Sequence, residues 1–312
     1  MTDRRIEEVD FIDLYLFSHD RRAECSTKTG YVSLEQNDFK NDIDDLLSEC
    51  ERASGGGNII EFTLKRVYQE RKQIYRGTRI TDSDDNGVFI LRKVDAVIRK
   101  LATLGMSKET INFIRSSESS GLVLVAGQMS SGKTSTLAAI VSDRLSECGG
   151  IGFVIEDPPE TNLNGLMGKG RCIQVHANRQ NGGYQEQIVL ALRSGAQFLM
   201  VGEIRDGATA REVVNASSAG HLLVTTIHAD SISAAVERLV NLSGLSEKVA
   251  ADCVSLVVHQ SLEKTPNGHR LQLQELRIGT NERAMIREGK FGSLDDAAHQ
   301  QRRAMRTGIN NR

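Results

Sequence analysis

The hydrophobic and polar positions divide the chain into two parts. From Ser120 onward, short apolar runs alternate with stretches in which apolar residues recur at helical spacing. The runs cover residues 121–126, 151–156, 197–202 and 221–227. This alternation of strands and helices predicts a mostly parallel sheet wrapped by helices, and therefore an α/β fold for residues 120–312.

The N-terminal part, residues 1–95, has a different pattern that predicts a small α+β domain. A helical stretch at 37–51 ends before three consecutive glycines, Gly55 to Gly57. The strand-like runs around it cover residues 11–17, 58–64, 72–80 and 87–92.

The regions that connect and follow these two parts have weaker patterns. Residues 96–119 are predicted to form a linker with one or two helices, one of them capped by Ser107. Beyond about residue 246 the pattern is largely helical, with one strand near residues 270–277.

Composition excludes several classes of protein. The 312 residues are enough for two domains, and 39 Lys and Arg against 41 Asp and Glu leave no basic field for nucleic acid. No apolar run approaches the ~20 residues of a membrane helix, and residues 1–8 lack the apolar core of a signal peptide, so we expect a cytoplasmic protein. The five cysteines are scattered, which predicts free thiols rather than disulfides or a zinc site.

One octapeptide carries the clearest chemistry. Residues 127–134, Gly-Gln-Met-Ser-Ser-Gly-Lys-Thr, match GxxxxGK[ST] between a predicted strand and a predicted helix. Glycines let the backbone wrap a phosphate chain, Lys133 can reach β- and γ-phosphates, and Thr134 can bind Mg²⁺. The sequence therefore predicts a nucleotide phosphate site formed by Gly127, Met129, Ser130, Ser131, Gly132, Lys133, Thr134 and Ser135.

Carboxylates follow two of the other predicted strands. Glu156, Asp157 and Glu160 come after the run at 151–156, and Glu203 comes after the run at 197–202. Because ligands of parallel sheets bind at the carboxyl ends of strands, we expect these carboxylates to emerge beside the phosphate site, where they can hold Mg²⁺ or act on a water nucleophile. For Glu203 both roles stay open.

Two further groups near these strand ends have alternative interpretations. Arg205 and Asp206, after Glu203, are either part of the site or a surface ion pair. His221 and His228 stand at opposite ends of one predicted strand, about 23 Å apart, so they cannot share a metal. His228, at the carboxyl end, is either a structural hydrogen-bond donor or a sensor of the γ-phosphate.

Together, four segments resemble a known family. Residues 127–134, 155–160, 201–206 and 220–230 resemble, in order and spacing, the Walker A, Asp box, atypical Walker B and His box of the secretion/traffic ATPases. The resemblance implies a RecA-like P-loop ATPase domain preceded by a PAS-like N-terminal domain. It also implies ATP and Mg²⁺ as cofactors.

The resemblance assigns roles to individual residues. Glu160 matches the catalytic carboxylate, and Glu203 matches the Walker B acid, so that Thr134, Glu156, Asp157 and Glu203 are the candidates for holding the metal. Lys133 and His228 complete the candidate catalytic set. In the family, arginines of the N-terminal domain reach the phosphates, and Arg76, Arg79 and Arg92 are the candidates, with the choice among them open.

The resemblance also implies a biological setting. The absence of a cysteine tetrad favours the branch of the pilus retraction motors or that of the type IVB secretion and conjugation ATPases. The expected function is ATP hydrolysis by a homohexamer at the cytoplasmic face of the inner membrane, coupled to inner-membrane components of a type IV secretion, conjugation or type IV pilus machine.

Two other function classes compete with this hypothesis. A hexameric helicase or DNA translocase could use the same core, but balanced charge, 4% aromatic residues and no Trp argue against direct nucleic-acid binding. A catalytically weak nucleotide-binding assembly module is the third possibility, and the intact Lys133, Thr134, Glu160 and Glu203 argue against it.

Overall fold

The structure is a computed structural model that describes residues 4–34, 36–94, 98–178, 181–265 and 268–307. The chain forms two compact units. The first contains Met1–Val97 and Pro158–Asn162, and the second contains Ile98–Asp157 and Leu163–Arg312.

The first unit is an antiparallel sheet with one long helix. Its six strands are arranged in the order β3-β2-β1-β6-β5-β4. The elements are β1 (Asp13–Phe17), β2 (Arg22–Thr27), β3 (Gly30–Leu34), α1 (Gln36–Ala53), β4 (Glu61–Tyr68), β5 (Arg71–Thr81) and β6 (Gly87–Val94). The sequence did not indicate β2 and β3, because β3 is an edge strand with mostly exposed residues and gives no hydrophobic alternation.

The core of the first unit lies between α1 and one face of the sheet. Leu14 and Leu16 of β1 lie opposite Leu91 and Phe89 of β6, and all four are buried in this core. Helix α1 contributes apolar residues at helical spacing, namely Phe39, Ile43, Leu46, Leu47 and Cys50. The apolar residues that recur with a period of two in the strands and of 3.6 in the helix therefore pack together in one apolar layer.

A buried ion-pair network also stabilises the first unit. The Arg66 guanidinium donates to Asp42 Oδ1 at 2.8 Å and to Glu7 Oε1 at 2.8 Å, and the Asp42 side chain is only 1% exposed. Burial raises the pKa of Asp42, but hydrogen bonds from Arg66, from the Ile6 N–H and from Arg5 lower it more, so the pKa lies below its usual value. The folded unit thus favours the charged carboxylate.

We expect Asp42→Asn to lower the free energy of unfolding of this unit by about 3 kcal/mol, because the amide no longer supplies the buried negative charge with which both Arg5 and Arg66 pair. The signal is near-UV circular dichroism of tyrosine during urea unfolding. This signal reports on the first unit because it contains four of the five tyrosines, Tyr15, Tyr31, Tyr68 and Tyr75.

Asp45→Asn, an exposed position on the same helix, is the matched control and should change the free energy by less than about 0.5 kcal/mol. The lowered pKa fixes the pH dependence. The stabilisation by Asp42 is fully present above the unfolded pKa of about 4 and is lost as pH falls through the folded pKa. A difference between wild type and Asp42→Asn that persists unchanged at pH 2 would contradict this account.

The second unit is an eight-stranded sheet in the order β14-β13-β7-β12-β11-β8-β10-β9. The elements are α2 (Lys108–Ile114), β7 (Gly121–Gly127), α3 (Lys133–Cys148), β8 (Gly150–Glu156), β9 (Gly165–Met167), β10 (Gly170–His176), α4 (Gly183–Arg193), β11 (Phe198–Val201), α5 (Gly207–Ser218), β12 (Leu222–His228), α6 (Ile232–Ser243), α7 (Glu247–Cys253), β13 (Val254–Thr265), β14 (Gly268–Arg277), α8 (Thr280–Arg287) and α9 (Ser293–Thr307). The six central strands are parallel and the two edge strands, β9 and β14, are antiparallel to their neighbours. The predicted α/β class is confirmed.

Strand β7 shows why the apolar runs of this unit are continuous. Leu122, Leu124 and Ala126 belong to the core on one face of the sheet, and Val123 and Val125 belong to the core on the other face. A strand that is covered by helices on both faces has no polar side to alternate with its apolar side.

The region after residue 246 differs from the prediction. A largely helical pattern was expected there, but residues 254–265 and 268–277 form the antiparallel pair β13–β14 before α8 and α9 begin. The expectation was wrong for β13, while the strand expected near residues 270–277 is confirmed as β14. Val254, Val257 and Val258 of β13 are fully buried beside β7, where β-branched side chains fit the pleated sheet.

The expected linker contributes structure to the second unit. Its residues 98–119 include a 3-10 helix at Leu101–Thr103 and α2, whereas residues 96 and 97 lie outside the described residues. The Ser107 hydroxyl accepts a hydrogen bond from the Thr110 N–H, so the predicted cap is confirmed. All five cysteines are free thiols, as predicted. In the described part of the chain, no helix combines the length and apolar character that a bilayer crossing requires.

Candidate functional site

The loop between β7 and α3 has the backbone conformation that the octapeptide predicts. Ser130 has φ 59° and Gly132 has φ 86°, both in the left-handed region. Gly132 is the N-cap of α3 and Lys133 begins the helix. At Gly127, a Cβ atom would lie 2.4 Å from the Gln260 carbonyl oxygen, so only glycine fits there. The loop therefore packs closely on β13 and leads into a helix N-terminus, which attracts anions.

Lys133 lies across this loop. Its Nζ donates to the carbonyl oxygens of Gly127, at 2.9 Å, and Gln128, at 2.7 Å. Burial lowers the pKa of Lys133, while the Glu203 carboxylate raises it, with the net shift downward. The structure thus brings together two of the predicted catalytic residues, Lys133 and Glu203, within electrostatic reach of each other.

A cavity of about 410 Å³ adjoins the loop. Residues 128–131 line one side, and the pair β13–β14 lines the other with His259, Gln260, Lys264 and His269 among others. Met129 faces outward, with 80% of its surface exposed. Burial lowers the pKa of His259, against Asp295 and Asp230, which raise it. The predicted phosphate loop therefore borders, on its β13 side, a cavity with polar and cationic groups around it.

Glu203 follows β11, as predicted, and lies at the carboxyl end of the sheet. Its Oε2 pairs with Arg205 Nη2 at 2.9 Å. Asp206 instead caps α5, where it accepts hydrogen bonds from the N–H and the hydroxyl of Thr209. The alternative of a surface ion pair between Arg205 and Asp206 is thus wrong, because helix capping occupies the aspartate.

His228 ends β12 directly beside the loop. In the register of β12 and β7, His228 lies opposite Gly127, and its side chain is exposed. Two residues before His228 on the same strand, the Thr226 hydroxyl donates to the Gly202 carbonyl oxygen at 2.8 Å and so ties β12 to the residue before Glu203. The structure thus places His228 next to Gly127, at the start of the loop.

Glu156 and Asp157 are further from the loop than expected. Strands β12 and β11 lie between β7 and β8, which separates the axes of β7 and β8 by about 14 Å. Glu156 is 2% exposed and accepts from Gln174 Nε2 at 2.6 Å, and Asp157 lies 3.3 Å from His176 Nε2. The expectation that these two carboxylates emerge directly beside the phosphate site is wrong, because strand order is not sequence order.

The predicted metal ligands are correspondingly spread out. Among the described residues, no group of three or more His, Cys, Asp and Glu side chains is arranged to hold a metal ion. Thr134, at the start of α3, and Glu203 remain compatible with Mg²⁺, which keeps several water ligands and needs few protein ligands. Glu156 and Asp157 instead belong to a hydrogen-bonded group with Gln174, His176 and Tyr184, whose hydroxyl accepts from the Asp157 N–H.

Glu160 and the candidate arginines lie in the first unit. Arg76 Nη1 is 3.6 Å from Glu160 Oε1, and Arg76 Nη2 donates to Glu61 at 3.3 Å. Arg92 makes two hydrogen bonds with Asp13, at 2.7 and 3.0 Å. In the part of the chain that the structure describes, Arg79 is in no ion pair.

The sheet register divides the three arginines. Arg76 lies directly opposite Arg92, and Arg79 lies opposite Phe89, which faces α1. Arg76 and Arg92 therefore share the sheet face that α1 leaves uncovered, and Arg79 lies on the other face. The structure brings together two of the three candidates, with Glu160 next to one of them.

Gln260 is a residue of this site that sequence reasoning missed. It is fully buried in β13, and its side-chain Nε2 donates to the Ser131 carbonyl oxygen at 2.6 Å. The available signal was a glutamine two residues after the apolar pair Val257 and Val258, where a buried polar side chain needs a hydrogen-bonding partner.

The geometry agrees with comparisons to known proteins. Residues 87–310 match the family described as "Type II/IV secretion system protein". The chain belongs to this family. The predicted family resemblance is thereby confirmed.

Similar proteins include a pilus protein and a secretion system protein. The chain is 31% identical over 217 residues to the type IV pilus retraction ATPase PilT of Pseudomonas aeruginosa, covering 67% of this chain and 61% of PilT. It is 32% identical over 242 residues to type II secretion system protein E of Klebsiella pneumoniae, covering 74% of this chain and 47% of that protein. The chain thus matches less than two thirds of the length of these two relatives.

Solved structures show the same fold for the family. The Legionella pneumophila ATPase DotB superposes with a TM-score of 0.76 at 18% identity, covering 96% of this chain and 85% of DotB. The pilus retraction motor PilT with bound ADP superposes with a TM-score of 0.76 at 21% identity, covering 92% of this chain and 85% of that chain. Both proteins therefore share the fold of this chain.

Proposed function

We propose that the chain hydrolyses ATP as a subunit of a homohexameric motor. The motor would drive a type IV secretion or conjugation machine, or type IV pilus retraction. The observation that carries the proposal is the convergence of the loop at 127–134, Lys133 and Glu203 in a member of the type II/IV secretion family. Inner-membrane components of that machine are the proposed partners, and its cytoplasmic face is the proposed location.

The second unit supplies the binding of the phosphates. The loop conformation and the helix N-terminus fit a phosphate chain, and Lys133 exchanges its two loop carbonyls for β- and γ-phosphate oxygens. Mg²⁺, held near Thr134 and Glu203, would neutralise phosphate charge. His228, beside Gly127, responds to the presence of the γ-phosphate.

Carboxylates act on the water nucleophile. Glu160 is proposed as the acceptor that orients or deprotonates the water, and Glu203 as the residue that holds a metal-bound water. The Arg205 guanidinium, paired with Glu203 at 2.9 Å, keeps that carboxylate oriented. An arginine from the first unit of a neighbouring subunit, with Arg76 as the foremost candidate, would stabilise the charge on the transferred phosphoryl group.

Phosphate release by the purified chain tests the proposal. We expect Mg²⁺-dependent ATP hydrolysis that EDTA abolishes and that single- or double-stranded DNA leaves within twofold, together with a hexameric mass in native mass spectrometry with nucleotide. Turnover that requires DNA would favour the nucleic-acid motor. A chain that binds ATP without turnover would instead be an assembly module.

The carboxylate variants Glu160→Gln and Glu203→Gln should each bind ATP and lose on the order of 10²-fold in kcat, because the amide keeps the shape but cannot accept a proton or hold the metal. Titration of Mg²⁺ separates the two roles, since only Glu203→Gln should raise the Mg²⁺ concentration for half-maximal activity. Glu237→Gln, an exposed glutamate on α6, is the control. A raised Mg²⁺ requirement for Glu160→Gln alone would reverse the assignment.

A further inference from the structure

The contact between β13 and the phosphate loop rests on one side chain. Gln260 Nε2 donates to the Ser131 carbonyl oxygen at 2.6 Å, and Gln260 is 0% exposed. Among the described residues, Gln260 Oε1 and the neighbouring Ser131 Oγ have no hydrogen-bond partner. The hydrogen bond to the loop is therefore the sole polar contact of this buried amide in the described chain.

The planarity of the peptide gives this hydrogen bond a directional effect. The Ser131 carbonyl and the Gly132 N–H belong to one trans peptide unit and point in opposite directions. When Gln260 holds the carbonyl oxygen toward β13, the Gly132 N–H must point away from β13. An N–H of the loop is thereby turned to the side opposite β13, where it can donate to an anion bound by the loop.

The loop conformation needs such an anchor. Ser130, on one side of Ser131, has φ 59°, which is an unfavourable left-handed conformation for a residue with a Cβ atom. Gly132, on the other side, also has a left-handed φ. A strained conformation persists only where the surroundings fix it, and Gln260 is the side chain that fixes the peptide between these two residues.

We propose that Gln260 is a positioning residue for the nucleotide, which holds the phosphate loop in its receiving conformation through the Ser131 carbonyl. The proposal rests on the proposed function in one respect, namely that this loop binds phosphates. Gln260 itself touches no phosphate and acts only through the loop.

The Gln260→Met variant separates this role from a purely structural one. Gln260→Met keeps the length of the side chain and removes the unpartnered Oε1, but it leaves the Ser131 carbonyl without its donor. One unsatisfied buried acceptor disappears as another arises, so the stability should change little. The substitution should instead weaken the binding of phosphates.

The primary test measures ADP and inorganic tripolyphosphate binding by calorimetry for the wild type and Gln260→Met. We expect both dissociation constants to rise about tenfold, the effect of one hydrogen bond, with a melting temperature within about 2 °C of wild type. In turnover assays KM for ATP should rise by a similar factor, while kcat at saturating ATP changes less than about threefold. Gln272→Met, an exposed amide on β14 that pairs with Glu263, is the matched control and should bind like wild type.

Gln260→Glu provides an independent readout. A buried carboxylate cannot donate to the Ser131 carbonyl, but a protonated carboxyl group can. We expect the ADP affinity of Gln260→Glu, relative to wild type, to recover as pH falls from 8 to 5.5, whereas that of Gln260→Met relative to wild type stays constant. All three proteins contain the same titratable groups around the site, so the effects of those groups on affinity cancel when each variant is compared with wild type. These groups are Lys133 on the loop and Asp230, His259, Lys264 and His269 at the adjoining cavity.

Three results would overturn the proposal. They are an ADP affinity of Gln260→Met within twofold of wild type, a loss of affinity accompanied by a large fall in melting temperature, and a Gln260→Glu affinity ratio that does not change with pH. Lys133→Ala, measured in the same series, separates this failure from that of the proposed function. If Lys133→Ala binds ADP like wild type, the phosphate site itself is wrongly assigned. If Lys133→Ala loses affinity and Gln260→Met binds normally, only the role of Gln260 is wrongly assigned.

Discussion

We expect Lys133→Ala to abolish ATP turnover, with kcat lowered at least about 10²- to 10³-fold. The ammonium group lies within hydrogen-bonding distance of two loop carbonyls and is the cation best placed to compensate charge that develops on the β- and γ-phosphates. ATP binding should weaken as well, because the same contact exists in the ground state. Phosphate release and calorimetric ATP binding measure the two effects.

A second lysine provides the control. Lys169 Nζ also donates to a main-chain carbonyl, that of Glu147, at 3.0 Å, but lies away from the phosphate loop. Lys169→Ala should therefore keep wild-type turnover. Hydrolysis by Lys133→Ala within twofold of wild type would show that the loop is not the phosphate site.

We expect Arg76→Ala to lower ATP hydrolysis on the order of 10³-fold with little loss of ATP affinity, because an arginine supplied to the transition state makes few ground-state contacts. Among the three candidates, Arg76 is held by ion pairs of 3.3 and 3.6 Å, whereas two hydrogen bonds of 2.7 and 3.0 Å fix Arg92 to Asp13. Arg76 can thus exchange its partners for a phosphate more easily than Arg92 can. Arg79 is less suitable because it lies on the sheet face that is turned toward α1. Arg52→Ala, an exposed arginine on α1, is the control.

Mixing the two inactive variants tests the ring. If Arg76 acts on the nucleotide of a neighbouring subunit, an interface between an Arg76→Ala subunit and a Lys133→Ala subunit can combine an intact loop with an intact arginine. In a randomly mixed ring at equal concentrations, about a quarter of the head-to-tail interfaces have this combination, so about a quarter of wild-type activity is the upper limit. Mixtures with no activity at any ratio, and a monomeric mass with nucleotide, would contradict the hexamer.

The sequence by itself determined the local parts of the site. Three features lie where their spacing in the sequence predicted. They are the loop at 127–134 between β7 and α3, Glu203 after the end of β11, and His228 at the end of β12. These features depend on residues that are adjacent in the chain, because glycines set the turn, apolar runs set the strands, and helical spacing sets the helix that follows. The Ser107 cap was predictable for the same reason.

Only the tertiary structure decided which of these local parts meet. Strand order places β12 and β11 between β7 and β8 and so removes Glu156 and Asp157 from the loop, although the chain runs directly from α3 into β8. The register of β5 and β6 puts Arg76 and Arg92 on one face and Arg79 on the other. The addition of β13 beside β7 brings Gln260 to Ser131, across 129 positions of sequence. Strand order is set by the burial of both sheet faces and by pairing between segments far apart in the chain, which no local pattern of residues encodes.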